Sequence, residues 1–124
     1  MENAMTYVDG FIMPVPTKKK AAYAKLARLG RKVWMQHGAH SYVEAIADDA
    51  PVGKLTSFPR SVKLKKSETV WFSFVTYKSR KHRDQVMKKV MADKRMSPAM
   101  MGQAKLPFDP KRMIWGGFNV VVEA

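Results

Sequence analysis

The chain predicts an α+β fold in the order β-α-β-β-α-β, and three observations carry that expectation. The nine residues after Glu68 in Glu68–Tyr77, ETVWFSFVTY, are all β-branched, aromatic or small, a strand composition. Two stretches, 18–37 and 79–92, place apolar residues at three- and four-residue steps, the helical period. Shorter alternating stretches near 6–14, 40–47 and 112–122 are bounded by Pro, Gly and Asp, the residues that stop strands.

Taken in order, TYVDGFIMP at 6–14 is the first strand. Tyr7, Asp9, Phe11 and Met13 share one face, and Val8, Gly10 and Ile12 the other. Pro14 and Pro16 are expected to end it, with Thr17 as the cap of the helix that follows. In 18–37, Tyr23, Leu26, Ala27, Gly30, Val33 and Trp34 fall on one side, and most of the lysines and arginines elsewhere. Gly38 suits the left-handed stop.

HSYVEAIA at 40–47 reads as the second strand, with Tyr42, Glu44 and Ile46 on one face. DDAPVG at 48–53 is turn chemistry. The basic segment 54–66 reads as a loop with an extended piece at Ser61–Leu64, because Pro59 breaks longer elements. The strand at 69–77 follows. Ser79 can cap the second helix, whose stripe is Val86, Met87, Val90 and Met91. SPAMMGQ at 97–103 suggests one further helical turn, and PFDP at 107–110 a turn. RMIWGGFNVVV at 112–122 is the last strand, where Gly116 and Gly117 suggest a bulge or a close approach.

This order is the ferredoxin-like split βαβ pattern, a four-stranded antiparallel sheet with two helices on one face. It leaves a problem. The third strand carries Val70, Phe72 and Phe74 on one face and Trp71, Val75 and Tyr77 on the other, so both faces want cover.

The length suits a single domain, expected over residues 5–124, with 1–4 as an N-terminal extension. A hydrophobic share of 46% argues against disorder. No apolar run is long enough for a membrane span, and the first residues lack the basic and apolar regions of a secretory signal. The absence of Cys excludes disulfides and thiol chemistry and fits a cytoplasmic protein. Twenty-three Lys and Arg against ten acids give a net charge of +13, which favours phosphate-rich partners or serves only solubility.

No nucleophile elbow, P-loop or dinucleotide fingerprint is present. His37 and His40 are separated by Gly38, so helical metal ligation is not expected. No cofactor is expected. Phe72, Phe74, Val75 and Tyr77 match part of an RNA-recognition pattern, but its basic residue and first glycine are missing. Nucleic acid is therefore an alternative partner and not the favoured one.

The candidate chemistry lies in Asp9 and Glu44. Both carboxylates are expected to point away from the helices into a cavity, where an apolar setting raises the pKa and lets a carboxyl move protons. Phe11, Phe72 and Trp115 are candidate walls, and Arg83 or Arg112 the charge partner. Phe108, Asp109 and Arg112 form a candidate rim.

Several of these stretches resemble one family. They are YVDGF at 7–11 with PVP at 14–16, GA at 38–39, VE at 43–44, and FSF-x-x-Y at 72–77. D-x-P-x-G-K at 49–54, RD at 83–84, MADKRM at 91–96 and PFD-x-KRMI-x-GGF at 107–118 complete the set. Together they resemble the YbaA-like family of small bacterial proteins, over nearly the whole chain from Met5. Pro110 stands where the family's turn has Gly. The resemblance implies a dimeric α/β barrel, in which two subunits pack their sheets together, and hence a homodimer. It assigns no reaction, because fold does not imply function. The combined expectation is a homodimeric barrel protein that binds or converts a small organic molecule in a cavity between the sheet and either the helices or the partner subunit. The alternatives are a polyanion binder and an interaction module without a ligand.

Overall fold

The computed structural model describes residues 6–100, 102 and 105–124. The expected extension at 1–4, and positions 101 and 103 of the expected helical turn, lie outside them. The strands are β1 (Tyr7–Pro16), β2 (Ser41–Ile46), β3 (Glu68–Tyr77) and β4 (Ile114–Asn119). The helices are α1 (Lys20–Gln36), α2 (Phe58–Ser61), α3 (Arg80–Ala92) and α4 (Ser97–Met100). The strands form one antiparallel sheet in the order β2-β3-β1-β4. The fold is α+β, a four-stranded antiparallel sheet with helices. Among the described residues no helix is long and apolar enough to cross a membrane.

β1 runs two residues past its expected stop. It pairs with β3 without interruption from Tyr7↔Tyr77 to Pro16↔Glu68. Thr17 N–H bonds Ser67 O, while Val120 N–H bonds Thr6 O. Odd positions of β1 therefore bond β3, and even positions turn toward β4. β4 starts opposite Ile12, so Pro14 and Pro16 face a side with no ladder left to satisfy. Their missing N–H groups cost nothing there. Thr17 does not cap α1 through its side chain; it opens a short 3₁₀ turn, Thr17–Lys19, and its hydroxyl meets that of Thr69 at 3.0 Å.

The 54–66 segment also departs from expectation. It contains α2 instead of an extended piece. Ser57 Oγ accepts the Arg60 N–H at 3.0 Å, and Pro59 sits in the first turn, where a helix needs no N–H donor. β4 is shorter than 112–122, because Pro110–Arg112 wind into a 3₁₀ turn capped by Asp109 Oδ1 on Lys111 N–H. Gly116 and Gly117 make no bulge, since their pairing with Gly10 and Asp9 is continuous. The close approach is real at Gly117: a Cβ there would collide with the Tyr7 hydroxyl.

Cross-strand partners share a face. Tyr7, Asp9, Phe11, Met13 and Val15 of β1 stand beside Trp71, Ser73, Val75 and Tyr77 of β3. This face lies under α1 and α3. Two apolar clusters form there. One joins Tyr7, Val75 and Tyr77 to Val33, Trp34, Val86 and Val90. The other joins Met13, Val15 and Trp71 to Tyr23 and Ala27. Phe11 packs against both, and a cavity opens between them.

Candidate functional site

The cavity, about 410 Å³, lies between the sheet and the helices. That corrects the expectation that Asp9 and Glu44 point away from the helices. The register puts them on the helix-covered face: Asp9 pairs with Val75, and Glu44 with Ser73. The two carboxylates stand two strands and one side-chain row apart, about 12 Å between backbones. Most of the lining is apolar, including Met13, Leu26, Ala27, Met87 and Phe108. Small-molecule sites are commonly built this way, with few polar groups on an apolar wall.

At one end, Glu44 is fully engaged. Tyr23 Oη donates to Oε1 at 2.9 Å and Tyr42 Oη donates to Oε2 at 2.8 Å. Burial pushes the Glu44 pKa up, against the two tyrosine hydrogen bonds, which favour the charged form. Both phenols are pushed upward in turn, first by burial and then by the Glu44 charge. Gly30 makes this arrangement possible. A Cβ there would stand 2.6 Å from Tyr42 Oη, so only glycine on α1 lets the phenol reach over the carboxylate. A glycine inside a helix costs about 1 kcal/mol relative to alanine, which this contact explains.

At the other end, Asp9 is 2% exposed, and no described residue donates a hydrogen bond to Oδ1. Arg83 of α3 brings Nε to 3.8 Å of Oδ1, an ion pair without a hydrogen bond. The guanidinium is held by its other contacts. Nη2 donates to Tyr7 Oη at 3.0 Å, Nε lies 3.3 Å from Asp84 Oδ1, and the group sits over the Tyr7 ring. Burial pushes the Asp9 pKa up; Arg83 and the nearby Tyr77 pull it back, and Asp84 adds to the rise. Four buried polar atoms lack hydrogen-bond partners among the described residues: Asp9 Oδ1, Arg83 Nε, Trp34 Nε1 and Tyr77 Oη. Leaving such atoms unpaired costs about 1–3 kcal/mol each, which is why unpaired buried groups gather at functional sites.

Of the residues expected at a site, the structure brings Asp9, Glu44, Phe11, Arg83, Phe108 and Trp115 to this cavity. It does not bring Phe72, Asp109 or Arg112. Phe72 has the opposite parity on β3 and lies on the other face of the sheet, edge-on to Phe58 with centroids 6.0 Å apart. Asp109 caps its own turn. Arg112 grips Glu68 with two bonds, 2.6 and 2.9 Å, and the carbonyls of Val62 and Lys63 at 2.8 and 2.7 Å. It ties the entry of β4 to the start of β3, and Arg83 alone is the charge partner of Asp9.

Sequence reasoning did not single out Tyr23, Tyr42, Trp34 or Ser73 as site residues. The available signal was Tyr42 sharing a strand face with Glu44, and Tyr23 lying on the inner helix stripe. His37 serves structure: its Nε2 lies 2.8 Å from Asp93 Oδ2, joining the ends of α1 and α3. Among the described residues no three His, Cys, Asp or Glu side chains gather to hold a metal.

These features define a class: a small α+β protein whose antiparallel sheet and helices enclose an apolar chamber with one buried and one half-buried carboxylate. The chain belongs to the YbaA-like family, described as "Protein of unknown function (DUF1428)", whose profile matches residues 6–110. It is 42% identical over 119 residues to the "Uncharacterized protein YbaA" of Escherichia coli K12, covering 96% of this chain and 99% of that protein. The protein of the same name from Shigella flexneri matches equally. A solved structure, that of a Bacillus cereus protein related to NIF3, aligns with 96% of this chain at 9% identity and a TM-score of 0.38. This chain spans about a quarter of that longer one (26%).

Proposed function

We propose that this protein binds a small organic molecule in the cavity between sheet and helices, with Asp9 as the residue that engages it. The observation carrying the reading is a buried, cavity-lining carboxylate whose Oδ1 has no hydrogen-bond donor among the described residues. A carboxyl whose pKa is raised by burial is suited to giving and taking a proton, so Asp9 is also the group placed at any conversion of the ligand. Glu44, bound by two phenols, fixes the opposite wall. Calorimetric titration with naphthalene tests the reading. The wild-type protein should bind it, and Ala27→Phe, which fills the chamber, should not. A wild-type protein that takes up no apolar probe would sink it.

The order β2-β3-β1-β4 with α1 and α3 on one face supports a ferredoxin-like subunit. The outer face supports self-association into a dimeric barrel. Val43, Phe72, Ile114 and Phe118 are all exposed there, and an uncovered apolar face of this kind marks an interaction site. A second copy suits it because the strand residues of this face are uncharged apart from Glu68 at its edge, which Arg112 neutralises, as at the apolar interfaces of obligate homodimers. Light scattering at micromolar protein should report a dimer. A monomer would refute the assembly and leave the cavity reading intact.

A further inference from the structure

We propose that the cavity selects neutral molecules bearing a hydroxyl donor, an aromatic or alicyclic alcohol or phenol, and turns anions away. This rests on the cavity reading above and names its ligand class. The outside and the inside of the molecule differ in charge. The chain carries +13, yet two carboxylates and one guanidinium line the chamber. The exterior attracts anions, and the interior does not welcome them.

The hydrogen-bonding capacity of the wall points the same way. A tyrosine hydroxyl has one proton to donate, and Tyr23 and Tyr42 both give theirs to Glu44. Their oxygens can only accept from a ligand. An ionised Asp9 also only accepts. Arg83 Nη2 donates to Tyr7 Oη, and its Nε, without a hydrogen bond, lies 3.8 Å from Asp9 Oδ1 and 3.3 Å from Asp84 Oδ1; Trp34 Nε1 is likewise without an acceptor among the described residues. Asp9 Oδ1 and the two phenol oxygens therefore ask for a donor, while Trp34 Nε1 and Arg83 Nε have a proton to give, and a hydroxyl, which donates and accepts through one oxygen, answers both. A carboxylate ligand would meet two like charges in a poorly solvated space. An ammonium ligand would satisfy Asp9, but it must shed its hydration on the way into an apolar chamber behind a cationic surface. A neutral hydroxyl on an apolar ring meets neither obstacle. Trp34, Phe11 and Phe108 offer that ring aromatic walls.

The test is a matched series of naphthol, naphthalene and naphthoate, titrated by calorimetry at neutral pH into the wild type, Asp9→Asn and Asp9→Leu. Naphthol should bind about ten-fold more tightly than naphthalene in the wild type, the worth of one hydrogen bond to a charged acceptor. Naphthoate should bind more weakly than both. Asp9→Leu should bring naphthol down to the level of naphthalene, and Asp9→Asn, which keeps the shape, serves if the leucine variant does not fold. Equal binding of naphthol and naphthalene by the wild type overturns this inference while the cavity reading stands. So does a naphthol preference that survives the loss of Asp9. Tightest binding of naphthoate overturns it in favour of Arg83 as an anion anchor. Failure of all three probes takes the cavity reading down with it.

Discussion

On the helix-covered face of the sheet, Asp9 and Glu44 sit among buried aromatics; on the opposite face, Val43, Phe72, Ile114 and Phe118 are exposed and carry no charge. An antiparallel sheet with one covered face ordinarily shows the reverse, with polar residues outward and apolar residues inward. Here the polar groups are held inside by specific partners, and the apolar ones stand outside. The first arrangement makes sense if the interior is a site, and the second if the exterior is an interface.

Matched substitutions across the two faces should separate those roles. The largest contrast is expected between Val75→Asp and Phe118→Asp. Val75 is 2% exposed, and an acid there should cost about 4 kcal/mol or more in urea denaturation. Phe118 is 61% exposed, and the same change should leave subunit stability within about 0.5 kcal/mol while weakening self-association in light scattering. Equal losses would mean that the open face is already part of the subunit core.

The two adjacent glycines of β4 give a second contrast, because they point to opposite faces. Gly117→Val drives a side chain into Tyr7 and should destabilise by about 1–3 kcal/mol. Gly116→Val meets only the Phe118 ring, at 3.4 Å, and should cost less than about 1 kcal/mol. Thermal or chemical melts of the pair decide it; similar losses would refute the packing described for Tyr7.

The pH dependence gives a third. Asp9 has a raised folded-state pKa, so its folded form holds the proton more tightly than the unfolded chain does. Its contribution is fully present below the ordinary carboxylate value and is lost as pH rises through the raised one. Asp9→Asn lacks that loss. The stability difference between variant and wild type should therefore move toward the variant from acid to neutral pH. Glu68, at the sheet edge, has the opposite sign: Arg112 holds its pKa down, so its contribution is lost as pH falls. A flat difference for Asp9→Asn would show that burial does not govern that carboxyl.

The smallest effect is expected from Gly30→Ala. The gain in helix propensity, about 1 kcal/mol, works against displacement of Tyr42, so net stability should change by less than about 1 kcal/mol. The informative readout is a carboxyl NMR titration, in which Glu44 should move further up on losing the Tyr42 bond. An unmoved Glu44 would mean that the phenol keeps its place.

Residue types alone specify the local elements and the partition of residues between faces. Period-two alternation puts Asp9 with Phe11, Glu44 with Tyr42, and Phe72 with Phe74, and three- and four-residue steps mark the inner stripes of α1 and α3. Those are short-range consequences of backbone geometry, legible from residue types alone. The capped turn at Ser57 was written there too, but Pro59 suggested a break because a first-turn proline and a breaking proline look alike in a list of residues. Which face the helices cover emerges from long-range packing, and with it that both carboxylates lie inside and Phe72 outside. Alternation is symmetric under exchange of the two faces, and here both are apolar enough to be buried. The assignment of Arg83 to Asp9 and Arg112 to Glu68 was likewise tertiary. Each pair joins residues more than forty positions apart in sequence, and a charge in the sequence does not say which of its opposites the fold will bring near.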